Sequence, residues 1–278
     1  MADFKKTVDK LFDSADIQIN GPRSWDPQVN NDLFYARILS GGSLALGESY
    51  MDGWWDCDSL DQFGDKLLSA RIDKKVKITN PYFLMNIVRA YLFNAQTTKR
   101  AYIVGTEHYD IGNDLFSLML DERMNYSCGY WRKAENLEQA QINKLDLICR
   151  KLHLKPGMTI LEIGCGWGSF AKYAAENYGV SVHGITISKE QVSYAKKSCK
   201  GLDVLFELKD YRELNKKYDC IVSIGMFEHV GYKNYRNYMK VVNRCLKDDG
   251  LFLLHTIGRN NPGRATDPWI NKYIFPNG

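Results

Sequence analysis

Acids and histidines follow two apolar segments in the second half of the chain. Glu228 and His229 come shortly after YDCIVSIG, and His255 ends GLFLLH. Carboxylate and imidazole groups can transfer protons or hold a small ion, and α/β enzymes place such groups where strands end. Each of them could instead cap a helix or pair with a lysine. Three such side chains after two consecutive strands favour a role in chemistry.

A glycine-rich segment, Met158–Phe170 (MTILEIGCGWGSF), offers a second kind of site. Apolar residues lead into Glu162, and glycines then alternate with other residues at Gly164, Gly166 and Gly168. This pattern predicts a strand, a tight turn and a helix. Such glycines let the main chain approach a ligand closely, and the helix N-terminus offers free N–H groups. Glycine loops also occur as plain turns, so the segment alone is a weak signal.

The spacing and the next strand argue against a dinucleotide. Dinucleotide folds place the third glycine three residues after the second, and an acid closes their second strand. Here Gly166 and Gly168 are two residues apart, and Thr186, Ser188 and Gln191 follow the second strand without a carboxylate. NAD is therefore disfavoured.

The spacing of Glu162 and the three glycines resembles the first motif of class I S-adenosylmethionine-dependent methyltransferases. In that superfamily the loop approaches the amino-acid portion of the cofactor. Most members also carry an acid after the second strand for the ribose, and this sequence departs from them there. Asp210, after the third strand, could bind an adenine amino group.

An aromatic segment, DERMNYSCGYW, precedes these elements. Tyr126, Tyr130 and Trp131 surround Cys128, and the cluster is either core or the lip of a pocket. Its Gly, Asn and Ser residues favour a pocket lip. No base lies near Cys128 in the sequence, which disfavours a nucleophilic thiolate.

Alternating strands and helices must position these residues. A helix is predicted from Asn136 to Leu152, and further helices near 169–177, 189–197 and 235–246. The order predicts an α/β fold with a doubly wound, mostly parallel sheet that is buried on both faces. The predicted strands are MTILEIG, VSVHGITI, DVLFEL, YDCIVSIG and GLFLLHTIG.

Residues 1–98 are predicted to form a smaller helical domain, and residues 99–278 the domain with the sheet. No strand pattern appears in the first, and Trp54 and Trp55 are interpreted as core. An apolar stretch, 82–93, follows the basic segment RIDKKVK and is either buried or offers a surface to lipid headgroups. Helices are predicted over Phe4–Phe12, over Leu33–Leu39 with a stop at Gly41-Gly42, and from Asp58 or Ser59 to Arg71.

Composition excludes several classes of protein. The formal charge of +4 over 278 residues is too mild to indicate nucleic-acid binding. Seven cysteines without a CxxC pair or a Cys/His cluster predict reduced thiols in a cytoplasm and no metal site. The charged N-terminus does not fit a signal peptide, and no apolar run is long enough to span a membrane.

Six motifs in order resemble the bacterial cyclopropane-fatty-acyl-phospholipid synthases and, more distantly, the mycolic acid cyclopropane synthases. They are YSCGYW, LEIGCGWGSF, GITISKEQ, SIGMFEHVG, LLHTIG and DPWINKYIFPNG, and GSLALGESYMDGWW resembles the lipid-docking domain of the phospholipid enzymes. The resemblance implies that a methylene group passes from S-adenosylmethionine to the cis double bond of an acyl chain in a phospholipid. The intermediate carbocation requires a dry pocket with aromatic faces, which Tyr126, Tyr130 and Phe227 could supply.

The resemblance also assigns roles to residues. The family uses a bound bicarbonate as the base, and its ligands carry over onto Glu228 and His255 by side chain, and onto Cys128 and Ile257 largely by main chain. The cofactor-binding residues implied are Tyr126, Ser127, Glu162, Gly164, Gly166, Gly168, Thr186, Ser188, Gln191, Asp210 and Tyr211. The family further implies a homodimer in the cytoplasm, bound peripherally to the phospholipid bilayer at the inner membrane face.

The chain ends at Gly278, directly after YIFPNG, whereas a class I sheet normally continues with two further strands. The family's remaining bicarbonate ligand, a tyrosine, lies in that region. We therefore expect a C-terminally truncated chain that is poorly active alone and exposes an apolar edge strand. Two alternatives stay open: another C- or N-methyltransferase on the same scaffold, and an inactive fragment that binds cofactor or lipid.

Overall fold

The computed structural model describes residues 2–72, 113–258, 260 and 267–274. They fall into two compact units: 2–72 with 267–274 form the first, and the rest form the second. The predicted domain boundary after residue 98, most of the basic segment and the stretch 82–93 lie outside the described residues and stay predictions.

The second unit follows the predicted alternation of strands and helices closely. The first unit differs from the predicted helical domain in the length of one helix, in a short strand pair and in one helix from the C-terminal part of the chain. The elements in chain order are α1 (Ala2–Asp13), β1 (Gln28–Val29), α2 (Phe34–Met51), β2 (Trp55–Asp56), α3 (Leu60–Ser69), α4 (Asn113–Met119), α5 (Leu137–Lys151), β3 (Thr159–Ile163), α6 (Ser169–Tyr178), β4 (Ser181–Thr186), α7 (Lys189–Ser198), β5 (Val204–Leu208), β6 (Tyr218–Ile224), α8 (Tyr235–Cys245), β7 (Leu246–His255) and α9 (Pro268–Tyr273).

Aromatic side chains hold the first unit together. Phe12 and Phe34 pack edge to face with ring centroids 6.5 Å apart, and Trp55 lies 5.0 Å from Phe63. Trp55 is 3% exposed and Trp54 is partly buried against the same cluster. The predicted core role of this tryptophan pair is confirmed.

Two predictions for this unit are wrong. The helix expected to stop at Gly41-Gly42 runs on as α2 to Met51, because Gly42 leaves helical angles (φ 57°, ψ −133°) and the helix then resumes. Ala45 and Ser49 of the resumed part are buried, so packing sustains it. The unit also contains an unpredicted antiparallel pair, β1 with β2, whose two-residue strands are too short to show alternation.

Helix α9 packs against α2, although its sequence position placed it in the second domain. The Lys272 ammonium pairs with the Glu48 carboxylate, and the Tyr273 hydroxyl donates to Glu48 Oε1 at 3.0 Å. The Trp269 ring covers Gly47, where an added Cβ would lie 2.3 Å from the indole Cδ1. A contact over more than 220 residues leaves no local pattern in the sequence.

The second unit is built on a parallel sheet with the strand order β5-β4-β3-β6-β7. Helices α5, α6 and α7 contribute to the apolar cluster on one face, and α8 contributes to the cluster on the other. The doubly wound α/β prediction is confirmed. Chain order reverses between β3 and β6, and folds of this kind bind ligands at that point, beyond the carboxyl ends of the strands.

No helix in the described part of the chain is both long enough and apolar enough to cross a membrane.

Candidate active site

A pocket opens at the carboxyl ends of β3, β4 and β6, at the point where the strand order reverses. Every part of its wall comes from the second unit. The aromatic segment and the loop after β3 form two sides, and the ends of the neighbouring strands form the others. It is lined mainly by residues 124–127, 162–167, 185–187, 209–212 and 224–226.

The three loop glycines adopt positive φ but have different tasks. Gly164 and Gly166 line the pocket with φ of 84° and 52°, and a Cβ added at Gly166 would meet nothing within 4 Å. Gly168 does not line it. A Cβ there would come within 2.9 Å of Phe206 and 3.1 Å of Ala195, so this glycine lets α6 approach the sheet.

Glu162 is the acid of the loop and lies beneath the pocket, 3% exposed. Burial raises the pKa of its carboxyl well above the usual range, against a main-chain hydrogen bond from Ala171 and the charge of Lys144. Its Oε2 is buried and has no hydrogen-bond partner among the described residues. A cationic or N–H donor group of a ligand would satisfy this oxygen.

The residues after β4 form one hydrogen-bonded group. The Thr186 hydroxyl donates to Gln191 Oε1 at 2.7 Å, and both residues line the pocket. Ser188 is fully buried and accepts from the Gln191 main-chain N–H at 3.2 Å, so it caps α7 instead of lining the pocket. Polar groups therefore stand where many nucleotide-binding folds have an acid.

The turn after β5 closes the far side of the pocket with Asp210 and Tyr211, both buried and both lining it. The Asp210 carboxylate accepts from the Arg212 main-chain N–H at 2.9 Å and pairs with its guanidinium at 3.4 Å. Arg212, which was not predicted as a site residue, also lines the pocket. Asp210 is thus oriented before any ligand binds.

Beside this pocket, the ends of β6 and β7 bring four predicted residues into two contacts. Cys128 Sγ lies 3.4 Å from His255 Nε2, and the Ile257 main-chain N–H donates to Glu228 Oε1 at 2.8 Å. Glu228 Oε2 is buried without a partner among the described residues. Burial and the Lys144 charge lower the pKa of His255, which keeps its imidazole neutral at neutral pH.

Of the predicted aromatic faces, the structure brings one to the pocket. Tyr126 lines it and lies 5.5 Å from Phe116, ring centroid to centroid. Phe227 stacks on Tyr235 at 4.2 Å instead, and Tyr130 borders a separate surface groove along α5. Neither lines the pocket.

An aromatic cluster that the sequence did not predict flanks the pocket next to Tyr126. Phe116 of α4 lies 4.7 Å from Trp167, and Met124 completes the buried group. Trp167 stands between two of the loop glycines, so its position in the motif is the one signal that could have identified it. His229, predicted alongside Glu228, also lines the pocket.

All seven cysteines are free thiols. Cys128 is exposed and the other six cysteines are buried and free. Among the described residues no group of three or more His, Cys, Asp or Glu side chains could hold a metal ion.

Known proteins resemble this chain in sequence. The family model for mycolic acid cyclopropane synthetase matches residues 96–278. Cyclopropane-fatty-acyl-phospholipid synthase of Escherichia coli strain K12 is 56% identical over 276 residues, which cover 98% of this chain and 71% of that protein. Cyclopropane mycolic acid synthase 3 of Mycobacterium tuberculosis is 43% identical over 55% of each chain.

Solved structures are similar as well. The cyclopropane synthase MmaA2 from Mycobacterium tuberculosis superposes with a TM-score of 0.59 at 37% identity, over 64% of this chain and 68% of that one. Mycolic acid cyclopropane synthase CmaA1, complexed with SAH and CTAB, has a TM-score of 0.53 at 39% identity over 55% of each chain.

Proposed function

Because the chain belongs to the mycolic acid cyclopropane synthetase family, we propose that it converts unsaturated acyl chains of phospholipids to cyclopropane acyl chains, with S-adenosylmethionine as the methylene donor. The predicted family and enzyme class, an S-adenosylmethionine-dependent methyltransferase, are confirmed by this membership. The observation that carries the proposed reaction is one continuous wall. Residues 124–127 line the pocket, and Cys128, the next residue, contacts His255, which lies with Glu228 at the ends of β6 and β7.

The pocket suits the cofactor at both ends. Glu162 offers an unpartnered oxygen to an amino group, and Gly166 has open space where a side chain would stand, which leaves room for the amino-acid portion of the cofactor. Asp210 and Tyr211 stand at the opposite wall, where an adenine would meet an oriented carboxylate and a ring. The related structure CmaA1 was solved with SAH, which supports this assignment.

The reaction sets two demands on the site. The sulfonium methyl group of S-adenosylmethionine forms a bond to one alkene carbon, S-adenosylhomocysteine leaves, and the other alkene carbon becomes a cation. The new methyl group then loses a proton, and its C–H electron pair closes the ring. Tyr126, with Phe116 and Trp167 behind it, provides aromatic surface beside the cation, worth about 0.5–2 kcal/mol per face.

The residues beside the pocket fit a small anion such as bicarbonate. Glu228 Oε2 is a buried oxygen that lacks a partner among the described residues, and a protonated oxyanion could donate to it. We propose that Glu228, His255, Cys128 and the Ile257 main chain hold bicarbonate, which supplies the base for the departing proton. Glu228 must share a proton with the bicarbonate, since two adjacent negative charges would repel each other.

The substrate also determines where the enzyme acts. A phospholipid substrate requires the enzyme to act at the surface of a bilayer, and we propose that it does so as a homodimer at the inner face of the cytoplasmic membrane. The relative from Escherichia coli is named as a synthase that acts on fatty acyl phospholipids, which supports a bilayer substrate.

One experiment tests the function. The protein is incubated with vesicles of unsaturated phospholipid and methyl-labelled S-adenosylmethionine, and the lipid mass is measured. A gain of one CH₂ with loss of the double bond supports the proposal. Label in an added small amine would support a different methyltransferase, and cofactor binding without turnover would support an inactive binding protein.

A further inference from the structure

Lys144 lies behind the pocket wall and has no role in the function described so far. It belongs to α5 and is 4% exposed. Its ammonium group donates to Ser127 Oγ at 2.9 Å and to Asn125 Oδ1 at 3.2 Å. In the described part of the chain no carboxylate forms an ion pair with it. Burial of an unpaired ammonium is costly, and such groups are retained where they serve a site.

Helix α5 holds Ser127 from two sides. Gln141, one turn before Lys144, donates from Nε2 to the Ser127 carbonyl oxygen at 2.9 Å. Main chain and side chain of Ser127 are thus both fixed by residues three apart on one helix face. The neighbouring Gly129 packs against Ala140 of the same helix, where an added Cβ would lie at 2.9 Å.

Asn125 ties the start of the same segment to two further elements. Its main-chain N–H and its Nδ2 donate to the two oxygens of Asp121, at 2.7 and 2.8 Å. Its Oδ1 accepts from the Ser169 hydroxyl at 2.8 Å as well as from Lys144. Ser169 begins α6 directly after the glycine loop, so Lys144 and Ser169 meet at one oxygen atom.

The segment 125–129, which these contacts hold in place, carries two residues of the proposed site. Tyr126 extends from it into the pocket, and Cys128 extends to His255. We propose that Lys144 is a positioning residue for the reaction, which through Ser127 and Asn125 holds the main chain that presents Tyr126 and Cys128. The inference rests on the proposed function, because it assigns Lys144 to the same site.

The charges around Lys144 give the proposal a pH signature. Four titratable groups interact with the Lys144 charge: Asp121, Cys128, Glu162 and His255. Burial lowers the pKa of Lys144 to about 8, against the attraction of Asp121. The group is therefore an ammonium below that pH and a neutral amine, with weaker hydrogen bonds, above it.

Lys144→Met keeps most of the length of the side chain and removes both hydrogen bonds and the charge. Affinity for S-adenosylhomocysteine is measured by calorimetry below and above pH 8, and alkylation of Cys128 is timed, since this is the exposed one of the seven cysteines. We expect about tenfold weaker binding below pH 8, equal to the loss of one charge-assisted hydrogen bond. The deficit shrinks above pH 8, where wild-type Lys144 is neutral too.

The alkylation rate of Cys128 is compared between wild type and Ser127→Ala, because Lys144→Met also removes a positive charge that acts on this thiol. Ser127→Ala keeps that charge and breaks the hydrogen bond to Lys144, so it releases the segment and should be alkylated several times faster than wild type. Lys155→Met, at an exposed position just after α5, is the control and should match wild type in both measurements. If the Met variant fails to fold, Ser127→Ala, which removes the shorter of the two hydrogen bonds from the other side, is used for both measurements.

Wild-type affinity at both pH values together with an unchanged Cys128 rate would overturn the proposal, and so would a loss of stability alone. Failure of wild type to bind S-adenosylhomocysteine would count against the proposed function instead. In that case the Cys128 rates of the variants still decide the role of Lys144.

Discussion

Glu228→Gln separates the proposed anion site from the cofactor pocket. The amide keeps an oxygen in place of Oε1, so it can still accept from the Ile257 N–H that now donates at 2.8 Å. Its NH₂ group replaces the unpartnered Oε2, and an amide can neither carry the shared proton nor bear charge. The fold should be unaffected, while the hold on a small oxyanion is weakened.

The size of the effect follows from one charge-assisted hydrogen bond, about 1.5–3 kcal/mol. Turnover of phospholipid should therefore fall about tenfold to a hundredfold. The dissociation constant for S-adenosylmethionine should stay near that of wild type, because Glu228 does not line the pocket. Part of the lost turnover should return when bicarbonate is added, since weak binding is overcome by concentration.

The assay measures turnover against S-adenosylmethionine at several bicarbonate concentrations, and cofactor binding by calorimetry. Glu213→Gln makes the same change at an exposed acid near the pocket and should behave as wild type. A Glu228→Gln enzyme that lost cofactor affinity but kept its turnover at saturation would refute the placement of the anion.

Three further substitutions probe the pocket and the packing. Gly168→Ala, at φ 85° and against packed atoms, should lower the free energy of unfolding by about 1–3 kcal/mol in urea titrations. Gly166→Ala is also strained, at φ 52°, but its new side chain meets open space, so it should lose less stability and mainly weaken binding of S-adenosylmethionine. Equal stability of the two variants would contradict this division. Because the pKa of Glu162 is raised in the folded protein, wild type loses stability as pH rises from the ordinary carboxyl pKa of 4.5 towards the raised value. Glu162→Gln should therefore melt higher than wild type at neutral pH and bind S-adenosylmethionine at least about tenfold more weakly. A lower melting temperature with unchanged affinity would refute this. Gly47→Ala should displace Trp269 and lower the melting temperature by several degrees, and a Gly64→Ala control, at a helical glycine with open space, should not.

The sheet and its loop were predictable because their signals are local. Buried parallel strands appear as apolar runs, and the glycines of Gly164–Gly168 must be glycines for the φ values that the turn adopts. Strand ends in such folds converge on one edge, so Glu228 and His255 could be assigned to a site before any distance was known. The six motifs in order then sufficed for the family.

Contacts between distant residues and side-chain directions were not predictable. Tyr130 lies four residues from Tyr126, yet it faces α5 instead of the pocket, and Phe227 turns towards Tyr235 although it precedes Glu228. Lys144 drew no prediction because a lysine in an amphipathic helix normally faces solvent. Its burial becomes apparent only when α5 packs behind the Ser127 segment.

Ring formation on a lipid alkene can be followed directly with deuterium. The protein is given unsaturated phospholipid vesicles and S-adenosylmethionine with a CD₃ group, and the product acyl chains are analysed by mass spectrometry. We expect a gain of CD₂, because the base removes one deuteron from the transferred methyl group as the ring closes. Acyl chains that retain all three deuterons as CD₃, or that gain no label at all, would contradict it.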